Sequence, residues 1–271
     1  MSVAQYAYVG LGALIILVAA GAIWYFSHSA KPQPQKQQAP PAPASSTQEH
    51  GPWENYAPSG MVYIPGGTFT MGRDNAPNPE ESPAHSVTVA PFYIGKEPVT
   101  RAQYSAFLQK TKGEPATYPD SQAAWPATKV SWQDAQAYCG WFGGWLPTEA
   151  EWEFAARGAD GRLYTWGNSF SSALVNSLET GLGHPEPVGA HPDAAGPFGV
   201  LDMSGNVWEW CADDYKPYPG QTSAFPIPDD AKVIRGGSFK SDKEHVTTTT
   251  RNLDHASTRS PLIGFRCAKS R

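Results

Sequence analysis

The stretch Leu146-Pro147-Thr148-Glu149-Ala150-Glu151-Trp152-Glu153-Phe154-Ala155-Ala156-Arg157-Gly158 reads as one short helix with both ends marked. Thr148 and Glu151 form a capping box, in which each side chain accepts the other residue's free N–H. Trp152 and Ala155-Ala156 supply its apolar positions, and Gly158 stops it because glycine tolerates a left-handed backbone. Two more helix starts of the same kind precede it. Thr100 with Gln103 opens a helix carrying Tyr104, Phe107 and Leu108 on one side. Ser131 with Asp134 opens another carrying Ala135, Tyr138, Cys139 and Phe142.

On the N-terminal side of these helices the apolar period is two. Met61-Val62-Tyr63-Ile64, the turn Pro65-Gly66-Gly67, and Thr68-Phe69-Thr70-Met71-Gly72 read as two short strands, continued by Ser86-Val87-Thr88-Val89 and Phe92-Tyr93-Ile94. Beyond Gly158 the chain reads mostly as turns, with aromatic runs at Tyr164-Thr165-Trp166-Gly167 and Val207-Trp208-Glu209-Trp210. Charged residues are only 17% of the chain, aromatics are 12%, and Gly and Pro stand at 26 each, which suits a loop-rich α+β domain packed on aromatic rings. The formal net charge of −5 and the absence of a Lys/Arg cluster exclude nucleic acid as a partner, since that needs a basic face.

Ahead of this domain, Ala7 to Phe26 is an uncharged apolar run of about twenty residues, roughly 30 Å as a helix, matching a bilayer core. Trp24, Tyr25 and Phe26 end it where an interfacial aromatic belt sits. A cleaved signal peptide would carry a basic start and a shorter core, and Met1 to Tyr6 hold no Lys or Arg. Residues 1–26 are therefore expected to be a retained single-pass anchor. Residues 27–59, rich in Pro, Gln, Ala and Ser, are expected to be a flexible tether. The folded domain spans 60–271.

The motifs of that domain occur in a fixed order: Met61-Val62-x-Ile64-Pro65-Gly66-Gly67, Pro98-Val99-Thr100, Val130-Ser131-Trp132, Leu146-Pro147-Thr148-Glu149-Ala150-Glu151-Trp152-Glu153, Ala155-Ala156-Arg157-Gly158, Trp166-Gly167-Asn168, Asp202-Met203-x-Gly205-Asn206-Val207-Trp208-Glu209-Trp210, Arg235-Gly236-Gly237-Ser238, and Gly264-Phe265-Arg266. Together they resemble the formylglycine-generating enzyme, or sulfatase-modifying factor, domain. The resemblance covers about Gly60 to Arg271 and implies an irregular α+β fold related to C-type lectins.

In enzymes of that family two cysteines after the Gly-Gly-Ser turn bind copper(I) and oxidise a substrate cysteine with dioxygen. Thiolates suit the soft cuprous ion. The matching positions in this chain are Ser241 and Val246, so the resemblance implies a framework without its copper ligands. Ser238, the family's neighbour to the metal, is kept. The resemblance also implies a disulfide between Cys139 and Cys267, worth roughly 2–4 kcal/mol, which leaves Cys211 as a buried thiol beside Trp208 and Trp210. It further implies calcium at the Asp202 and Glu209 side chains and the Gly205 and Val207 carbonyls, hard oxygen donors around a tight turn. The competing reading is that both carboxylates satisfy backbone N–H groups. A second calcium would use Asn176 and the Ser177 carbonyl. Trp145, Arg101 and the run Thr247-Thr248-Thr249-Thr250 depart from the family pattern, the last where a substrate groove would be lined.

Three functions are compatible with these residues. A membrane-tethered, non-catalytic module that binds or stabilises a partner in a membrane complex accounts for both the anchor and the missing thiols. The alternative is an oxidoreductase of altered chemistry, as in the family's siderophore-maturation branch, using Glu244, His245, Asp254 or His255 in the groove. A lectin-like display domain has no sugar-binding pattern to support it. Lys31 and Lys36 after the anchor favour a cytoplasmic domain. The expected disulfide and calcium favour the periplasmic, extracytoplasmic side, which is the orientation expected here.

Overall fold

The computed structural model describes residues 60–112, 118–223 and 225–271. The expected anchor at 7–26 and tether at 27–59 lie outside the described residues. Among the described residues no helix is long and apolar enough to cross a membrane. The elements run in the order β1 (Met61–Ile64), β2 (Gly67–Met71), β3 (His85–Val89), β4 (Phe92–Gly95), α1 (Arg101–Lys112), α2 (Trp132–Phe142), α3 (Glu149–Arg157), β5 (Trp208–Asp214), β6 (Ala231–Arg235), β7 (Arg251–His255), β8 (Ile263–Gly264) and β9 (Ala268–Lys269). It is a mixed α/β, loop-rich fold with few helices.

All three capping boxes form. The Thr100 N–H donates to Gln103 Oε1 at 2.8 Å and the Gln103 N–H returns to Thr100 Oγ1 at 3.2 Å. Ser131 with Asp134 and Thr148 with Glu151 close in the same reciprocal way. Gly143 ends α2 at φ 85, and the Gly158 N–H ends α3 on the Phe154 carbonyl.

The strands make three small sheets, ordered β1-β4-β9, β2-β3 and β7-β6-β5-β8. Only β5 and β8 run parallel; the other pairs are antiparallel. The four-stranded sheet falls in the part of the sequence read as mostly turns. Its strands are short, and β7 begins with a buried arginine, Arg251, so no apolar alternation marks it.

Two apolar clusters hold these pieces. One packs α3 through Trp152, Phe154, Ala155 and Ala156 against Phe69, Val89, Val233 and Cys211. The other gathers Tyr104, Phe107, Tyr138 and Phe265 around the Cys139–Cys267 disulfide, whose Cα atoms stand 5.4 Å apart. Cys211 is fully buried, and burial pushes its thiol pKa well up, which marks it as a packing residue.

Candidate functional site

The site region grows from the end of β6. Gly236 and Gly237 follow Arg235 with φ of 92 and 75. A Cβ on Gly236 would meet the Trp152 ring at 2.9 Å, and one on Gly237 would meet the His245 carbonyl oxygen at 2.2 Å. Only glycine permits so close an approach at positive φ. The turn therefore sits directly on the Trp152 ring of α3 and folds the 238–246 loop back against Gly237.

Within that loop the two positions matched to the family thiols are part of the packing. The Ser241 Oγ accepts the Ser238 N–H at 3.0 Å, and the Ser241 N–H donates back to the Ser238 carbonyl at 2.8 Å. The Ser238 Oγ accepts the Lys240 N–H at 3.2 Å. Val246 is 0% exposed and clusters with Tyr164 and Val175. These residues do not fit a cuprous ion: one offers a hydroxyl already accepting a hydrogen bond, the other a hydrocarbon.

The four threonines after Val246 are buried to 1% or less, so they form an inner wall and not a groove lining. Thr247 also lines a cavity with Arg73 and Tyr164. The Thr248 and Thr249 carbonyls accept from Arg235 at 3.0 and 3.2 Å, and Thr249 Oγ1 donates to Glu81 at 2.6 Å. Behind this wall lies a buried ionic network that sequence reasoning missed. Arg235 binds both Glu149 and Glu153. Glu153 also holds Arg157 at 2.8 Å and accepts the Gly72 N–H at 2.8 Å. Arg251 sits over the Tyr215 and Tyr218 rings, whose hydroxyls reach Glu80 and Glu149. Burial raises the Tyr218 pKa far above its ordinary value. The available signal was the placement of Glu149, Glu153, Arg157 and Arg235 inside otherwise apolar motifs of a charge-poor chain.

The candidate groove residues do not converge. His245 backs onto Gly237 beyond the C-terminal end of β6, with Glu244 beside it. Asp254 and His255 pair with Lys232 and Ala231 at the start of β6. A five-residue strand separates the two pairs, on the order of 13 Å. The histidines are 48% and 55% exposed at their side chains and pair with Asp242 and Asp230.

Asp202 and Glu209 flank a turn in which Asp202, Gly205 and Asn206 all have positive φ. The Asp202 carboxylate accepts the Gly189 N–H at 2.6 Å. Burial pushes its pKa up to about 6, with Gly189 and Arg266 acting against the rise and Glu209 and Glu97 adding to it. Glu209 is more committed. Its Oε2 accepts from Arg266 Nε at 2.7 Å and from the Trp152 indole at 2.9 Å, while Oε1 accepts from Arg266 Nη2 at 2.7 Å. One Oε1 lone pair remains. Half-buried Asp202 and the remaining Glu209 lone pair are hard oxygen donors, the type of ligand calcium takes.

Asn176 and Ser177 do not fit a second ion. The Ser177 carbonyl already accepts the Thr180 hydroxyl at 2.7 Å and the Thr180 N–H at 3.1 Å. The Asn176 side chain donates to the His184 carbonyl and accepts from Thr180. Asn176 braces the Asp202–Glu209 turn, since the Asn206 N–H donates to the Asn176 carbonyl at 2.8 Å. Among the described residues no three His, Cys, Asp or Glu side chains gather as metal ligands.

The irregular sheets, the Gly-Gly-Ser turn clamped on α3, and the remodelled thiol loop define a formylglycine-generating-type domain. Residues 47–271 match the family model described as the sulfatase-modifying factor enzyme 1-like domain, and the chain belongs to that family. It is 35% identical over 274 residues to the inactive C-alpha-formylglycine-generating enzyme 2 of Mus musculus, covering 78% of this chain and 85% of that protein. Identity to the formylglycine-generating enzyme of Streptomyces coelicolor is 30% over 301 residues, covering 85% and 95%. Among solved structures, PvdO from Pseudomonas aeruginosa shares the fold with a TM-score of 0.66 and 30% identity, covering 78% of this chain and 94% of that one.

Proposed function

We propose that this chain is a non-catalytic, membrane-tethered module that binds or stabilises a partner as an accessory subunit of a membrane complex, its domain on the extracytoplasmic side. The observation that carries the reading is Val246, sealed against Tyr164 and Val175 at a family thiol position. Ser241, held by Ser238, supports it. The mouse relative named as inactive lends further support. In this reading calcium is held by Asp202, Glu209 and the carbonyls of Gly205 and Val207. It would supply positive charge to the half-buried Asp202 and tie down the turn. The test is affinity capture of the full chain from detergent-extracted native membranes. A stoichiometric membrane partner, retained after Glu244→Ala and His255→Ala, is expected; a lone monomer overturns the reading.

The second reading, an oxidoreductase of altered chemistry acting on a peptide or small molecule, draws on the 30% identity to the Streptomyces formylglycine-generating enzyme. It requires that alanine at Glu244, His245, Asp254 or His255 abolish a cellular phenotype while the variant stays folded.

A further inference from the structure

A cavity of about 270 Å³ opens beside the remodelled loop, lined by Arg73, Pro77, Leu163, Tyr164, Phe170, Lys243, Glu244 and Thr247. Its aromatic wall is preset. Tyr164 stacks on Trp166 with ring centres 5.0 Å apart, meets Phe170 edge-on at 5.8 Å, and donates its hydroxyl to the Lys243 carbonyl at 2.9 Å. Arg73 uses Nη2 on Glu81 at 3.3 Å, and its side chain, 26% exposed, forms part of the cavity wall.

We propose that this cavity binds a small apolar monocarboxylate. The carboxylate pairs with the Arg73 guanidinium through a charge-assisted bond, with Lys243 adding positive charge. The hydrocarbon or ring packs on Leu163, Tyr164 and Phe170. Two features select a single negative charge: Glu81 already uses part of the Arg73 charge, and Glu244 adds an opposing one at the wall. The volume lies just below the usual range for ligand sites, which limits the ligand to one ring or a short chain. The inference does not depend on whether the chain is catalytic, because a carboxylate subsite serves either.

Titration calorimetry on the full chain tests it, with phenylacetate as probe, benzyl alcohol as neutral isostere and inorganic phosphate as dianion. Phenylacetate is expected to bind one per chain, on the order of tenfold more tightly than either control. Arg73→Gln is expected to weaken phenylacetate about tenfold with the thermal unfolding temperature checked in parallel. Lys243→Met, at an exposed residue, is expected to weaken it severalfold and decides the matter if the first variant fails to fold. Absence of saturable phenylacetate binding, equal binding of benzyl alcohol, tighter binding of phosphate, or an unchanged Kd in the folded variants would overturn the proposal.

Discussion

Arg251 grips Glu149 with a fork: Nε and Nη2 of the arginine donate to the two carboxylate oxygens at 2.6 and 2.9 Å, across 102 residues of sequence. The pair locks the first turn of α3 to the edge strand β7, inside a network that also holds Arg235 and Glu153.

Removing one partner of a buried pair strands the other charge, which generally costs about 3–5 kcal/mol. Arg251→Met should therefore lower the unfolding free energy by about that amount in urea titrations. Asp214→Asn, which breaks an ion pair with Lys232 at a mostly exposed carboxylate, should cost about 0–1 kcal/mol. Equal effects would show that burial does not govern the network.

The Cys139–Cys267 bridge spans 128 residues and staples α2 to the C-terminal segment. Replacing both cysteines by alanine should destabilise by roughly 2–4 kcal/mol. Wild type should respond to dithiothreitol under unfolding conditions and the double variant should not.

Asp202 sets a pH dependence in calcium-free buffer. Its folded-state pKa of about 6 lies above the ordinary 3.8, so protonation favours the fold. That contribution is complete below the ordinary value and is lost as pH rises through about 6. Wild type should therefore lose stability relative to Asp202→Asn between those limits. Calcium at neutral pH should restore it in wild type and leave Asp202→Asn unmoved. A melting temperature indifferent to calcium would remove the ion from this account.

Glu244, His245 and His255 are exposed and Asp254 is half-buried, all in short local arrangements. Single alanines at these positions should change stability by no more than about 0.5 kcal/mol for the exposed three. They should leave partner capture intact; a lost complex would relocate the binding surface to this loop.

The three helix starts were legible because a capping box is contained in four residues. The family blocks were legible because Gly236 and Gly237 answer to hard steric limits against Trp152 and the 238–246 loop. The strands β6 and β7 were not, since the arginines Arg235 and Arg251 interrupt the apolar pattern and find their carboxylates on α3. Thr248 and Thr249 were misread as groove lining because side-chain polarity alone does not show that their carbonyls face inward to Arg235. The bidentate pairing of Glu209 with Arg266, 57 residues away, was not legible, and it leaves the carboxylate a single open Oε1 lone pair.

Anaerobic titration of the full chain with copper(I), in competition with a chromophoric cuprous chelator, addresses the central claim most directly. With oxygen and hydrocarbon at Ser241 and Val246, the chelator should keep all of the metal. Withdrawal of one equivalent of copper per chain would contradict the account.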